Sequence, residues 1–136
     1  MRKIKFRGKV EKNEPLFGLH KGQWVYGNCC CDELQKDVAI ENTESSDIVR
    51  VLVDEKTVGQ YIGLNDKNGK EIYEGDLVRV LAYNYDEDEI FVIKYDKDLA
   101  QFVLDNDNLC ITFDNVYPNE VEVVGYIHDN KDLLNS

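Results

Sequence analysis

Nucleophilic or metal chemistry in this 136-residue chain would have to draw on four cysteines, two histidines and three serines. Cys29, Cys30 and Cys31 are consecutive, so on a strand Cys29 and Cys31 face one way and Cys30 the other. That is a poor framework for mutual disulfides, and only Cys110 remains as a distant partner. Zinc sites take ligands at spacings such as C-x2-C, and neither His20 nor His128 stands at such an interval from the cluster. The cysteines therefore read as small, buried, reduced thiols. A cysteine nucleophile would need His20 or His128 beside it in space, and Ser45, Ser46 and Ser136 all fall in polar stretches unsuited to a serine hydrolase. Carboxylates are so plentiful that no pair is informative. The run Asp86 to Glu89, and Asp96, Asp98, Asp105 and Asp107, read as solvated acidic turns rather than Mg²⁺ or Ca²⁺ sites. The expectation is a protein that is not an enzyme, with no catalytic, cofactor or metal residues.

The stretch Gly63 to Val80, "GLNDKNGKEIYEGDLVRV", is the one loop-like segment that could grip a ligand. A calcium loop with Gly69 at its sixth position would place Leu64 at the first and Gly75 at the twelfth, so two essential oxygens are missing. A phosphate loop needs G-x4-G-K-[ST], but Gly69-Lys70 is followed by Glu71, and G-x-G-x-x-G occurs nowhere. A hairpin fits better. Asp66 and Gly69 occupy the first and last places of a type I turn closed by a left-handed glycine, with Lys67 and Asn68 between them. That register sets Asp66 against Lys70. The rival two-residue turn at Asn68-Gly69 would oppose Asp66 and Glu71, a like-charge pair disfavoured by roughly 0.2 to 1 kcal/mol. Glu74-Gly75-Asp76 then turns the chain again. Asp66, Asn68, Gly69, Gly75 and Asp76 are expected as structural turn residues.

The net charge of −11 is unevenly spread. Arg2, Lys3, Lys5, Arg7, Lys9 and Lys12 face one acid, Glu11, within residues 1 to 12, so that segment is +5 and the remainder −16. In bulk, such a chain repels phosphate backbones. Lys3, Lys5, Arg7 and Lys9 alternate with Ile4, Phe6, Gly8 and Val10, which reads first as the solvated face of a strand and second as a patch for an acidic surface, including that of another copy. Trp24 and Tyr26 share one strand face, and Tyr83 and Tyr85 sit near the acidic bend. Aromatic residues so placed are core or line a binding groove. Arg2, Lys3, Lys5, Arg7, Lys9, Trp24, Tyr26, Tyr83 and Tyr85 are the candidate interaction residues.

Positioning these residues falls to strands. Ile4 to Val10, Gln23 to Cys31, Asp47 to Val53, Val58 to Leu64, Leu77 to Tyr83, Glu89 to Tyr95, Gln101 to Leu104, Leu109 to Phe113 and Val121 to Ile127 are rich in β-branched and aromatic residues. Short helical turns are expected near Asp54 to Val58, around Pro118 to Glu120, and at Leu133-Leu134. Glu41 to Asp47 should be the least ordered stretch, and Tyr85 to Glu89 an exposed turn. Many short strands argue for a sandwich or small barrel of antiparallel pairs. No apolar run approaches the roughly 20 residues of a membrane helix, and the basic start lacks a signal peptide's apolar core, so a cytoplasmic protein without membrane contact is expected.

"YIGLNDKNGKEIYEGDLVRV", with the opening "MRKIKFRGK" and the closing "EVVGYIHDNKDLL", resembles the YopX family of small proteins from phages and prophages of Gram-positive bacteria. The resemblance runs end to end with a diverged middle. It departs at Gly8 and Lys9, where the family has an aromatic and an acid. The resemblance implies a mainly β protein, with an N-terminal antiparallel β subdomain over residues 1–64, an SH3-like barrel with a C-terminal tail over 65–136, and little helix. The two are expected to form one cooperative unit. It implies no activity. The function expected is that of a non-enzymatic phage accessory protein that binds protein, as a homo-oligomer or with a host or phage partner. The alternative is a nucleic-acid-linked role, as an acidic DNA-mimic decoy or a DNA-binding accessory; a metal-dependent enzyme ranks third.

Overall fold

The computed structural model of the chain describes residues 4–32, 37–42, 49–81, 90–106 and 109–134. The protein is mainly β and divides into two compact units, Met1–Tyr61 and Ile62–Ser136. The first holds β1 (Phe6–Lys9), β2 (Trp24–Asp32), β3 (Asp37–Asn42) and β4 (Val49–Leu52), a 3₁₀ turn at Glu55–Thr57, and the start of β5 (Gly59–Asn65). The second holds the rest of β5, β6 (Glu71–Tyr73), β7 (Asp76–Val80), β8 (Ile90–Asp96), β9 (Gln101–Asp105), β10 (Cys110–Thr112), β11 (Val121–Tyr126) and a single helical turn, α1 (Lys131–Leu134).

In the first unit the strand order is β4-β3-β2-β1-β5, all antiparallel. One flank of β1 is shared. Phe6 and Arg7 pair with Gln60 and Gly59 of β5, whereas the end of β1 turns to the end of β4. Val10 bridges Val53, the Glu11 N–H donates to the Leu52 carbonyl at 3.1 Å and the Asp54 N–H to the Lys9 carbonyl at 2.9 Å. The Lys9 N–H in turn donates to the Thr57 hydroxyl at 2.8 Å, so the 3₁₀ turn fastens this closure. Alternation along the strands sends Gly8, Val10, Ile40, Val51 and Val53 to the inner side, all of them buried. The curl brings Val53 so near that a Cβ on Gly8 would lie 3.0 Å from two of its carbons. A glycine is what lets the sheet close there.

In the second unit β7, β8, β9 and β10 form a meander and β11 returns to pair with β7, giving the order β10-β9-β8-β7-β11. The 3₁₀ turn Pro118–Glu120 leads directly into β11. The core is built from Ile62, Ile72, Val78, Val80, Phe91, Ile93, Leu104, Ile111, Val116 and Val121, with Leu64, Phe102, Phe113 and Val123 packed against it. Helix α1 lies against β8, where the expected helical turn at the end of the chain docks.

Two strands were not expected. β3 has only Val38 and Ile40 as β-branched residues; it forms because it is paired on both flanks and sends Ile40 to the interior. Glu41 therefore belongs to a strand, not to an unordered stretch, while 43–48 lie outside the described residues. β6 is too short to announce itself, yet Ile72 and Tyr73 are both buried. β7 ends at Val80 rather than Tyr83, and the bend at 85–89 lies outside the described residues.

Candidate interaction face

On the outer side of the first unit, Lys5, Arg7 and Lys9 project beside Trp24 and Tyr26, because Arg7 pairs with Tyr26 and Lys9 with Trp24 across the β1 and β2 ladder. The Arg7 guanidinium stacks 4.1 Å from the Trp24 ring centre, the Lys9 ammonium lies 5.2 Å from the same ring, and the Lys5 ammonium lies 5.3 Å from the Tyr26 ring. Cations and rings thus alternate along the face, each contact contributing about 0.5 to 2 kcal/mol according to its desolvation. Arg7, at the middle, is only 4% exposed; Lys5, Lys9 and Trp24 are half-buried and Tyr26 is 40% exposed. The basic strand is therefore not a simply solvated face. Its charges lie over aromatic surface and its edges meet solvent.

The same face continues along β2 and β3. The Cys30 thiol donates to the Glu41 carboxylate at 3.6 Å, and that carboxylate accepts from Arg50 at 3.0 Å. Cys29 and Cys30 are half-buried and Cys110 is exposed, so the expectation of buried thiols is corrected for these three: Cys30 lies on the partly covered outer face, and Cys29, opposite Ile40 on the inner side, is only partly covered as well. Between β1 and β2 the chain makes a hydrogen-bonded tip. Glu14 and Leu19 exchange backbone hydrogen bonds at 2.8 and 3.1 Å around the 3₁₀ turn Pro15–Phe17, and Gly18 closes it in the left-handed conformation. Leu16 and Phe17, missed from sequence, are held there 94% and 54% exposed. Their signal was two large apolar residues between Pro15 and Gly18, a turn rather than a strand.

Of the candidate interaction residues, Lys5, Arg7, Lys9, Trp24 and Tyr26 come together on this face. Arg2, Lys3, Tyr83 and Tyr85 lie outside the described residues.

The turn residues form a separate arrangement in the second unit. The Gly69 N–H donates to the Asp66 carbonyl at 3.0 Å and the Asp66 N–H to the Lys70 carbonyl at 2.8 Å, with Gly69 at φ +80°. The Asp66 carboxylate accepts from the N–H groups of Asn68 and Lys70, both at 2.9 Å, through one oxygen. Through the other it accepts from the Val123 N–H at 3.0 Å, so a turn residue fastens β11, 57 positions away. The adjacent Lys67 N–H donates to the Val121 carbonyl at 2.9 Å, and the Lys67 ammonium lies 3.4 Å from Glu122. Burial by itself would push the Asp66 carboxyl up. The bonds from Val123, Lys70 and Asn68, with the Lys70 charge, outweigh it and hold the group below the usual carboxylate range.

At the second turn the buried Asp76 carboxylate accepts from the Tyr73 N–H at 2.8 Å. Gly75 stands at φ +90°, and a Cβ there would lie 2.7 Å from the Tyr126 ring. These five residues are occupied in holding strands together.

On the β9 and β10 edge, desolvation and then the charges of Asp105 and Asp96 push the Cys110 thiol up, while Lys94 pulls it down. Asp105 is itself paired with the Lys94 ammonium at 3.1 Å. Among the described residues no group of three or more His, Cys, Asp or Glu side chains is placed to hold a metal ion, and no helix is long and apolar enough to cross a membrane.

No curated protein matches the chain. Among solved structures it is similar to the crystal structure of protein EF1440 from Enterococcus faecalis, with a TM-score of 0.58 and 19% sequence identity, over 98% of this chain and 99% of that one. At that identity the likeness shows the fold alone. The sequence itself carries the further assignment: residues 5–135 match the family described as YopX protein, and the chain belongs to that family.

Proposed function

We propose that this chain is a non-enzymatic accessory protein of a phage or prophage of Gram-positive bacteria, acting in the host cytoplasm by binding other proteins through the outer face of β1 and β2. The observation that carries this reading is the row Lys5, Tyr26, Arg7, Trp24 and Lys9. Rigid aromatic rings and an arginine already held in place lose little entropy on binding, which is why such residues dominate protein contact surfaces. The chemistry favoured opposite them is an acidic protein surface.

The same geometry argues against a base-stacking platform. A platform for single-stranded nucleic acid needs free ring faces, and the Trp24 ring carries Arg7 at 4.1 Å and Lys9 at 5.2 Å. A nucleic-acid-linked role as an acidic decoy draws instead on the charge of −11. A decoy would compete with DNA for its target protein, and direct binding would weaken steeply with salt.

Affinity capture of the tagged protein from a Gram-positive lysate, with and without nuclease, followed by mass spectrometry, tests the proposal. A nuclease-resistant protein partner is the expected result. Recovery that disappears with nuclease would replace it with the nucleic-acid reading.

A further inference from the structure

At the tip of the Asp66 turn, Asn68 is followed by Gly69, a pair whose own covalent chemistry is not inert. The glycine nitrogen attacks the asparagine Cγ, and the amide NH₂ leaves with the nitrogen's proton as ammonia. The cyclic imide so formed takes up water and opens to aspartate or isoaspartate. Glycine favours this step because no Cβ shields its nitrogen. Both residues are exposed, and nothing lies within 4 Å of where a Gly69 Cβ would stand, so water reaches the pair. The turn, however, holds the reacting nitrogen in place. The Gly69 N–H donates to the Asp66 carbonyl at 3.0 Å, and the N–H groups on either side, those of Asn68 and Lys70, donate to one Asp66 carboxylate oxygen at 2.9 Å. To reach the Asn68 Cγ the Gly69 nitrogen must rotate out of its bond, and the planar peptide unit turns with it.

We infer that Asn68 is a site of spontaneous deamidation gated by Asp66: the closed turn keeps the side chain unreacted, local opening of the turn releases it, and the isoaspartate that forms unfastens β11. Isoaspartate carries the main chain through the side-chain carbon, which lengthens the loop between Asp66 and Lys70 by a methylene. The longer loop no longer fits the bond from Gly69 to the Asp66 carbonyl or the bond from Asp66 to the Lys70 carbonyl. The carboxylate gained at position 68 also repels that of Asp66. Both effects act on the residues that hold β11, because the Asp66 carboxylate accepts from the Val123 N–H at 3.0 Å and the Lys67 N–H donates to the Val121 carbonyl at 2.9 Å. The change is irreversible, and it converts opening of one turn into lasting loss of a strand contact.

Peptide mass spectrometry of the purified full chain, incubated at mildly alkaline pH, tests this by the fraction of Asn68 converted with time. Conversion in the folded wild type should be slower than in concentrated urea by about tenfold or more, because only the locally opened population reacts. Urea too dilute to unfold the protein should leave the rate unchanged, since opening one turn exposes little surface. Asp66→Ala should raise the folded rate towards that in concentrated urea, while Gly75→Ala, which disturbs the other turn, should leave it near the wild-type value. Equal rates in the folded and unfolded chain overturn the gate. So does a rate that climbs with dilute urea, or that Gly75→Ala raises as much as Asp66→Ala, because protection would then come from global stability. Should Asp66→Ala fail to fold, the response of the wild type to dilute urea still decides. The isoaspartate form, separated by ion exchange, should melt below the unmodified protein, and an unchanged melting temperature overturns the coupling to β11.

Discussion

Asp66 shows how one carboxylate can matter more than its turn. Its bonds to Asn68 and Lys70 shape the hairpin, and its bond to Val123 reaches across the second unit. In Asp66→Asn the amide oxygen can still accept from the turn, but the amide NH₂ would confront the Val123 N–H, donor against donor. A loss of roughly 1 to 3 kcal/mol is expected for that one unsatisfied contact. The pH dependence has a definite sign. The folded carboxyl is held below its ordinary value of 3.8, so its contribution is complete above that value and is withdrawn as pH falls through the lower, folded one. Thermal melts should therefore show the wild type losing its advantage over Asp66→Asn below about pH 4; parallel curves down to pH 2 would contradict the assignment. The two turn glycines separate conformation from space. Gly69 has a positive φ and nothing within 4 Å of a Cβ, whereas Gly75 has a positive φ and the Tyr126 ring at 2.7 Å. Gly69→Ala should cost about 1 kcal/mol by backbone strain, and Gly75→Ala clearly more. Equal melting shifts would mean that the Tyr126 ring yields freely.

The strands of the first unit close because Gly8 admits Val53. Gly8→Ala should destabilise the protein by about 1 to 3 kcal/mol. In a Val53→Ala background, with the two Val53 methyl groups gone, the same change should cost less, and a double-mutant cycle by urea denaturation measures the difference. Strict additivity would show that the two Val53 methyl groups are not what the glycine accommodates, since the Val53 Cβ, 3.0 Å away, is present in both backgrounds. Sequence made part of this legible. The alternation of Lys5, Arg7 and Lys9 with Phe6, Gly8 and Val10 is visible as a strand, and the spacing of Asp66 and Gly69 as a turn, because both are local patterns. The contact of β1 with two different strands along one flank is not local, nor is the Asp66 bond to β11. β3 was hidden because its residues have little strand preference of their own and take their conformation from neighbours on both sides. Arg7 was read as solvated because nothing in the sequence says that Trp24 will lie over it; the register between β1 and β2 decides that.

At the scale of the molecule, a neutral unit with a cationic and aromatic face is joined in one chain to a unit that carries the entire negative charge. Recognition, not chemistry, is the work proposed for that face. Lysate capture after nuclease treatment, run side by side with the wild type and with Lys5→Glu/Lys9→Glu, tests this most directly, once circular dichroism has shown that both are folded. The account predicts a protein partner recovered by the wild type and lost, by tenfold or more, from the variant. Equal recovery by both would contradict it, because the partner would then be held by some other surface of the chain.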